Sequence, residues 1–332
     1  MTFAGRAAKN KRTMRCYSFV NALPVIGLAL AGILALGSSG AAVQTDSETF
    51  TMQSALAAAA TNNPQAEVFV ARLYADGLGV PRDYTKAVEY LRKATTQNYV
   101  PALMALGDCY AHGEGVRQSD IEAVHCYYRA AVRGDPAAEY CVGYAYANGK
   151  GALRDINLAL SWWQKAAEQG QVYAQSALGR FYLYGEYPGD TNHINYTEAA
   201  KWLRQAANQN YAPAMGQLGY MYLYAIGLPH DWAQALFWSQ KAAALGDAAG
   251  QDSLGQMYED GDAGLPKDLV QAYKWFWLSS QQGCPAGKHD VFEIELHNAL
   301  TPAQIAEAKR MATLFQAQLL TNSTVDAPKA RL

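Results

Sequence analysis

The chain has 332 residues, of which 50% are hydrophobic and 17% are charged, and its formal net charge is -2. This near-neutral balance lacks the basic excess with which proteins bind nucleic acid or an anionic membrane surface, so we expect neither partner. The chain is rich in glycine and tyrosine, and strand-like alternation of apolar and polar residues is scarce. The composition therefore favours helices with small residues at their contacts.

Residues 1–42 have the layout of a secretory signal peptide. An apolar run from about residue 19 to residue 36 is followed by small residues, and no acidic residue precedes Asp46. Five basic residues come before that run: Arg6, Lys9, Lys11, Arg12 and Arg15. We expect a Sec-type signal with cleavage after Ala41 or Ala42. An uncleaved anchor is the alternative, because about 18 apolar residues can just span a bilayer.

The signal predicts that the rest of the chain lies outside the cytoplasm. We expect a periplasmic or secreted protein, or one anchored in the inner membrane and facing the periplasm if residues 1–42 are retained. Without the five basic residues, 22 Lys and Arg remain against 29 Asp and Glu, so the mature charge is near -7.

An internal repeat organises the rest of the chain. The pattern L-G-x-x-Y, with Val or Ala sometimes replacing one of its first two letters, ends at successive spacings of 36, 36, 36, 40 and 36 residues. Its final tyrosines are Tyr74, Tyr110, Tyr146, Tyr182, Tyr222 and Tyr258. A fixed period in this range is typical of a solenoid. We predict an N-terminal capping helix in residues 47–62, six repeats in 63–283, C-terminal capping helices in 284–320, and a flexible tail in 321–332.

Each repeat is predicted to be a helix, a G-x-G loop and a second helix. The loop glycines are expected to supply positive φ. A nucleotide site is disfavoured, because no third glycine or Lys-Ser/Thr pair follows and no strand precedes. Each second helix opens on a capping residue, which we interpret as structural rather than metal-ligating. These are Asp83, Ser119, Asp155, Asn195, Asp231 and Asp268.

The second helix continues as A-x-x-W-x-x-x-A-A and closes on Gly or Asn. An aromatic stripe at the Trp position indicates core packing, and the closing residues suit a left-handed conformation. The Trp position holds Tyr90, Cys126, Trp162, Trp202, Trp238 and Trp275. The closing residues are Asn98, Gly134, Gly170, Asn210, Gly246 and Gly283.

The unit A-x-x-x-L-G-x-x-Y-x-x-G-x-G-V-x-x-D-x-x-x-A-x-x-W-x-x-x-A-A-x-x-G resembles the Sel-one-like repeat (SLR) family, relatives of the tetratricopeptide repeats. The resemblance covers roughly Asn63 to Gly283, and the T-P-A-Q-I-A-E-A helix is similar to the ending of many such proteins. It implies an all-α, right-handed α-solenoid that acts as an adaptor or scaffold. Secreted and periplasmic bacterial members are associated with exopolysaccharide assembly, envelope signalling and host contact. A cysteine-rich branch linked to β-lactam binding or hydrolysis is a poor match, because its cysteines recur in every repeat.

The sequence offers no clear catalytic, metal or cofactor site. Cys126 could bridge Cys109 or Cys141 in an oxidising compartment, although packing as small apolar residues is the favoured interpretation. Three residues spaced by four could place two imidazoles and a carboxylate on one helix side, as zinc would require: His289, Glu293 and His297. We favour a solvated helix face for them.

The first helices carry an unusual stripe on the side away from the predicted core. It contains neither Lys nor Glu, whereas a merely solvated face should be rich in both, and five tyrosines lie in its middle repeats. Its members are Val68, Arg72, Asp76, Met104, Asp108, His112, Tyr140, Tyr144, Asn148, Ser176, Arg180, Tyr184, Gly216, Tyr220, Tyr224, Asp252, Gln256 and Asp260. Tyrosine is enriched at recognition surfaces, and first helices line the concave side of related solenoids. We predict partner binding by Tyr140, Tyr144, Asn148, Arg180, Tyr184, Tyr220 and Tyr224; packing between helices is the alternative.

The main functional hypothesis is therefore a non-catalytic exported scaffold that binds a protein or peptide through this face. One alternative is an envelope hydrolase of the β-lactam or peptidoglycan type, although no nucleophile–base pair is visible. Another is a glycan-binding module that uses the exposed aromatic residues, with a polysaccharide as its partner.

Export makes a prediction about the mature N-terminus. Because the small-residue exit of the apolar run is where a signal peptidase would cleave, protein recovered from cells should begin near Ala42 or Val43. N-terminal sequencing or intact mass measures this directly. Recovery of an intact Met1 terminus from a soluble cytoplasmic fraction would contradict export.

Overall fold

The structure is a computed structural model that describes residues 52–185 and 192–326, and every regular element in those ranges is a helix. The predicted signal segment therefore lies outside the described residues. So do residues 186–191 of the fourth repeat, the repeat whose spacing of 40 exceeds that of the others by four residues. The described chain divides into two compact units, 52–174 and 175–326, which are considered separately. Within these ranges, no helix combines the length and apolar character needed to cross a bilayer.

The first unit contains eight helix segments. They are α1 Met52–Ala59, α2 Pro64–Asp76, α3 Tyr84–Thr96, α4 Val100–His112, α5 Asp120–Ala131, α6 Pro136–Asn148, α7 Ile156–Glu168, and the first turn of α8 Val172–Tyr184. The paired helices of each repeat pack on each other: α2 on α3, α4 on α5, and α6 on α7. The core of the first two repeats is built mainly from alanines with Val68, Val88, Leu91 and Leu106.

The second unit continues the same pairing. After α8 come α9 Tyr196–Asn208, α10 Ala212–Leu223, α11 Trp232–Ala244, α12 Ala248–Asp260, α13 Leu269–Gln281, α14 Pro285–Leu296 and α15 Pro302–Asp326. The all-helical fold of six paired repeats is confirmed. The last helix was expected to end near Gln318, but α15 continues to Asp326, into the segment predicted as a tail. No Gly or Pro lies between these two residues to stop it.

The predicted helix punctuation is present in every repeat. All six capping residues accept a hydrogen bond from a first-turn N–H through the side chain, as Asp155 does from the Leu158 N–H at 3.0 Å. All six closing residues have positive φ, from 53° at Asn98 to 87° at Gly170. In five repeats the backbone N–H of the capping residue also donates to the carbonyl oxygen of the L-G-x-x-Y tyrosine, as in Asp83 to Tyr74 at 2.9 Å. This bond closes the loop between the paired helices.

The Trp position is less deeply buried than a core stripe would require. Cys126, Trp202 and Trp275 are buried, whereas Tyr90, Trp162 and Trp238 are half-buried. In five repeats a lysine ammonium lies over the ring, from 4.0 Å for Lys274 over Trp275 to 5.8 Å for Lys241 over Trp238. A lysine stem and its charge therefore shield the outer side of each ring from water.

The second glycine of the G-x-G loop lies where consecutive repeats touch. A methyl group on Gly115 would lie 2.2 Å from the carbonyl oxygen of Tyr84, at the start of the preceding repeat's second helix. Gly151 meets the carbonyl oxygen of Asp120 in the same way at 2.2 Å. Gly79 occupies the equivalent loop position in the first repeat, where a methyl group would meet nothing within 4 Å.

This difference predicts unequal costs for two equivalent substitutions. Gly79→Ala should lower the free energy of unfolding by about 1–2 kcal/mol, because a side chain at φ near +74° is strained. Gly115→Ala carries the same strain at φ +69° and also a backbone clash, so it should cost clearly more. Urea unfolding of both variants measures the difference. Equal costs would show that the contact between repeats is not tight.

Candidate functional site

A cavity of about 300 Å³ opens in the first unit among α4, α5, α6 and the loops that follow α4 and α6. Its lining combines aromatic rings, two carboxyl groups and one ammonium group. The lining residues are Asp108, Ala111, His112, Gln118, Asp120, Ala123, Val124, Tyr127, Tyr140, Cys141, Tyr144, Ala145 and Lys150. The stripe predicted from sequence supplies four of them: Asp108, His112, Tyr140 and Tyr144.

The polar centre of the cavity follows from the glycine before Asp108. A methyl group on Gly107 would lie 2.5 Å from Cε1 of Tyr127, so the bare backbone of α4 lets this ring pack directly against it. The Tyr127 hydroxyl thereby reaches the next residue of α4 and donates to Oδ1 of Asp108 at 2.8 Å. Tyr127 follows the Trp position of its repeat, so the repeat geometry itself brings the two side chains together.

Asp108 is an acid in an unfavourable environment. Burial raises its pKa to about 6; the Tyr127 hydrogen bond and nearby His112 oppose this shift, and Glu114 adds to it. Burial together with the neighbouring carboxylate also raises the pKa of Tyr127 well above its ordinary value. The phenol therefore stays protonated and donates, while Asp108 is mostly ionised at neutral pH.

The other charged groups of the lining are already engaged. The Lys150 ammonium pairs with Asp120 at 3.5 Å. His112 uses Nδ1 to donate to the carbonyl oxygen of Asp108 at 2.8 Å, which places that proton on Nδ1. The lysine of the lining thus neutralises Asp120 and not Asp108.

One wall of the cavity is aromatic, but it is more closely packed than the sequence predicted. The ring of Tyr140 lies 6.4 Å from that of Tyr144 and 5.7 Å from that of Tyr173, centroid to centroid. Tyr140 is only 8% exposed, so the expectation that it stands open on the stripe is wrong: the neighbouring rings cover it. Tyr144 is half-buried, and Asn148 is exposed with its amide donating to the Tyr144 carbonyl oxygen at 2.9 Å.

In the second unit the predicted stripe is also largely covered. Tyr220 is 1% exposed and its ring lies 4.8 Å from that of Tyr224, so its expected exposure is wrong. Tyr224 is half-buried and donates from its hydroxyl to Gln256. Arg180 and Tyr184 are half-buried on α8, and burial raises the pKa of Tyr184. Tyr220 and Tyr224 are thus packed together, while a role of these four residues in binding stays a prediction.

The other candidate chemistry has a structural explanation. Cys109, Cys126 and Cys141 are buried free thiols, so the possible bridge from Cys126 is not formed. His289 and His297 both lie beside Glu293 on α14, at 3.9 and 3.3 Å. In the ranges that the structure describes, no group of three His, Cys, Asp or Glu side chains is arranged to hold a metal ion.

Sequence reasoning placed Asp108 on the stripe but did not choose it, and it missed Tyr127. The available signal was the residue after the Trp position. In five repeats this residue meets the glycine of L-G-x-x-Y, and in the second repeat it is a tyrosine able to carry a hydroxyl to the first helix.

Comparison with known proteins agrees with this repeat architecture. Six consecutive segments match the Sel1 repeat: residues 64–99, 100–135, 136–171, 172–211, 212–247 and 248–284. The chain belongs to the Sel1 repeat family. The matched segments begin at or just before the first helix of each pair, so the family repeat and the structural repeat coincide.

Two solved structures share this fold at moderate identity. A protective antigen of uropathogenic Escherichia coli that displays an SLR fold is 30% identical, with a TM-score of 0.67, over 79% of this chain and 56% of that one. A Sel1 repeat protein from Oxalobacter formigenes is 28% identical, with a TM-score of 0.60, over 69% of this chain and 90% of that one. Both are similar to this Sel1 repeat chain in architecture.

A curated relative matches over a shorter range. Chitin synthase regulatory factor 3 of Schizosaccharomyces pombe is 32% identical over 83 residues, which is 25% of this chain and 9% of that protein. The chain thus spans about a tenth of this relative and just over half of the E. coli antigen.

The raised pKa of Asp108 predicts how stability responds to pH. The pKa of Asp108 in the folded state, about 6, exceeds the ordinary 3.8. The contribution of this carboxyl group to the stability of the fold is therefore fully present below about pH 4 and is lost as the pH rises through 6. Asp108→Asn removes this loss and keeps an acceptor for Tyr127. The difference between these two pKa values corresponds to at most about 3 kcal/mol. Because Asp108 is half-buried and water screens part of this, we expect the variant to gain about 1 kcal/mol relative to wild type, or roughly 2–4 °C in Tm, between about pH 4 and pH 7.5.

Thermal unfolding at the two pH values measures the trend. Glu114→Gln is the matched control, because it removes an exposed carboxyl from the next loop and should show little change. A Tm difference between Asp108→Asn and wild type that is the same at both pH values would contradict the raised pKa.

Proposed function

We propose that the protein is a non-catalytic adaptor that binds a protein or peptide partner through the first-helix side of its repeats. The observation that carries this proposal is the cavity among α4, α5 and α6, where half-buried Tyr144 and the Asp108–Tyr127 pair converge. A small number of placed polar groups within an apolar lining is the usual composition of a recognition pocket.

The chemistry of the lining favours binding over hydrolysis. Cys141 is the cysteine of the lining that a hydrolase could use as a nucleophile. Burial raises the pKa of its thiol far above the ordinary value. A cysteine nucleophile needs the opposite shift, because the thiolate is the reactive form. The nearest histidine of the lining, His112, already uses Nδ1 on a backbone carbonyl. This arrangement weighs against a β-lactam or peptidoglycan hydrolase built on Cys141.

The aromatic geometry also favours a polypeptide over a glycan. Sugar rings stack on flat, open aromatic faces, whereas neighbouring rings cover Tyr140 and Tyr144 presents only part of its ring. A side chain can enter a pocket of about 300 Å³ and meet ring edges and a carboxylate at the same time.

Export to the bacterial periplasm or beyond is part of the proposal. It is supported by the basic N-terminus, the apolar run and the small-residue exit of residues 1–42. In that setting the adaptor would serve an envelope, exopolysaccharide or host-contact process, as the family resemblance implies.

Selection from a library of random dodecapeptides on purified protein tests the proposal. Tyr144→Ala should weaken binding of the selected peptides by at least about tenfold, since it removes one wall of the cavity. The same change should cost less stability than Trp202→Ala, which truncates a buried side chain and should cost about 3–5 kcal/mol.

The matched control is Tyr128→Ala. Tyr128 lies on α5 in the same unit, is 44% exposed, and is absent from the cavity lining. Its removal should leave peptide binding within about twofold of wild type. Peptides that bind Tyr144→Ala as well as wild type, or glycans that bind where no peptide does, would overturn the proposed peptide-binding role of this cavity.

A further inference from the structure

The charges of the cavity are unbalanced. Its lining carries two carboxyl groups, Asp108 and Asp120, and one ammonium group, Lys150. Lys150 is paired with Asp120 at 3.5 Å, which leaves Asp108 without a Lys or Arg counter-ion in the lining; His112 is the basic side chain that acts on it. The Tyr127 hydroxyl supplies one hydrogen bond to Oδ1 of Asp108, and a carboxylate can accept several.

The aromatic wall beside this carboxylate has the character that suits a cation. Tyr140 and Tyr144 lie 6.4 Å apart on consecutive turns of α6, and both rings line the cavity together with Tyr127. Aromatic rings attract ammonium and guanidinium groups, and the attraction strengthens where water is excluded. Such a group needs only part of one ring, and half-buried Tyr144 presents that part, whereas a sugar ring needs a whole open face. The same protein uses this interaction elsewhere, with Lys165 over Trp162 at 4.4 Å.

We propose that this cavity receives the cationic side chain, lysine or arginine, of a partner polypeptide, with Asp108 as its counter-ion and Tyr140 and Tyr144 as its aromatic wall. This inference rests on the proposed function and names the chemistry that its site recognises. A volume of about 300 Å³ is at the small end of ligand pockets, which fits one long side chain. The acidic excess of the chain beyond its first 42 residues would also favour approach of a basic segment.

Acidity should weaken this interaction. The pKa of Asp108 is raised to about 6, so protons compete with the cation as the pH falls through that value, and a bound cation should lower the pKa. Other titratable or charged groups surround Asp108 on all three helices and the loops after them. On and after α4 these are His112 and Glu114; on α5 they are Asp120, Cys126 and Tyr127; on and after α6 they are Tyr140, Cys141, Tyr144 and Lys150. The variant His112→Gln isolates the contribution of His112, which opposes the rise in the pKa of Asp108.

Two sets of probes test the proposal. The first is acetyl-arginine amide and acetyl-lysine amide, compared with their neutral counterparts acetyl-citrulline amide and acetyl-norleucine amide, each titrated into labelled protein by NMR. The charged probes should shift resonances of the cavity lining and bind at least about tenfold more tightly than the neutral ones. Asp108→Asn should abolish this preference, whereas Glu114→Gln should retain it within about twofold.

The second set is the selected dodecapeptides. They should be enriched in Lys or Arg, and replacing that residue with norleucine or citrulline should weaken binding by at least about tenfold on wild type but not on Asp108→Asn. Tm values of both variants show whether they are folded.

The outcomes separate this inference from the proposed function. If the peptides depend on Tyr144 but lack a basic residue, or bind Asp108→Asn as tightly as wild type, the cation inference fails and the adaptor function stands. If no peptide depends on Tyr144, the proposed function fails. Equal binding of charged and neutral amides, or binding of neither, overturns the cation site by itself.

Discussion

In five of the six repeats, the first helix lies against its second helix at a point where it presents bare backbone; the first repeat has Ala71 at this position. At Gly107, Gly143, Gly179, Gly219 and Gly255, an added methyl group would lie between 2.4 and 2.7 Å from a side-chain atom of the partner helix. Glycine within a helix costs about 1 kcal/mol relative to alanine. The close packing of the two helices must therefore stabilise the fold by more than this cost. This explains why glycine recurs at this position despite its unfavourable helix propensity.

The same contact is the origin of the candidate site. The residue that meets the glycine is Tyr127, Trp163, Leu203, Ser239 or Phe276 in the five repeats. The side chains of Leu203 and Phe276 have no polar atom to present beyond the glycine. In the described part of the chain, the Ser239 hydroxyl and the Trp163 indole N–H have no hydrogen-bond partner. Tyr127 alone in this set passes the glycine and carries a hydroxyl to a polar side chain on the first helix, Asp108. One change of residue type at this repeated contact, to Tyr127, thus gives the second repeat a polar centre that the other repeats in the set lack.

Much of this fold could be predicted from the sequence because its signals are local and repeated. A capping oxygen, a loop glycine and a closing Gly or Asn each act within a few residues, and six copies in register remove the ambiguity of any single one. The exposure of the first-helix stripe could not be predicted in the same way. Tyr140 packs against Tyr144 on its own helix and also against Tyr173 on α8, and this second contact joins residues of different repeats that no local pattern connects. Tyr220 packs against Tyr224, four residues later, and the spacing alone does not show that the two rings turn towards each other. The end of α15 was missed because helices without a Gly or Pro stop signal end where packing and fraying decide.

The Asp108–Tyr127 pair was missed for a different reason. The period of the repeat identifies positions where the same residue type recurs. It does not identify a residue such as Tyr127, which matters because it differs from the residues at the same position in the other repeats. Tyr127 follows the Trp position, which holds Cys126 in this repeat, so the recurring aromatic pattern does not point to Tyr127. The pairing becomes visible only when the glycine contact is known, since that contact decides which residue of the second helix reaches the first.

A comparison of two half-buried aspartates supports the proposal that Asp108 serves recognition and not folding. Burial raises the pKa of Asp247 to about 7, yet this residue is the N-cap of α12 and accepts from the Gly250 N–H at 2.8 Å. Its burial is explained by the helix end that it satisfies. Asp108 lies in the interior of α4, where no helix end needs an acceptor, and its protein donor is a tyrosine that would pack equally well as phenylalanine. The fold gains little from a carboxylate at this position and loses stability as that carboxylate ionises. A carboxylate that costs the fold stability in this way is best explained by the cationic side chain that we propose binds in the cavity beside it.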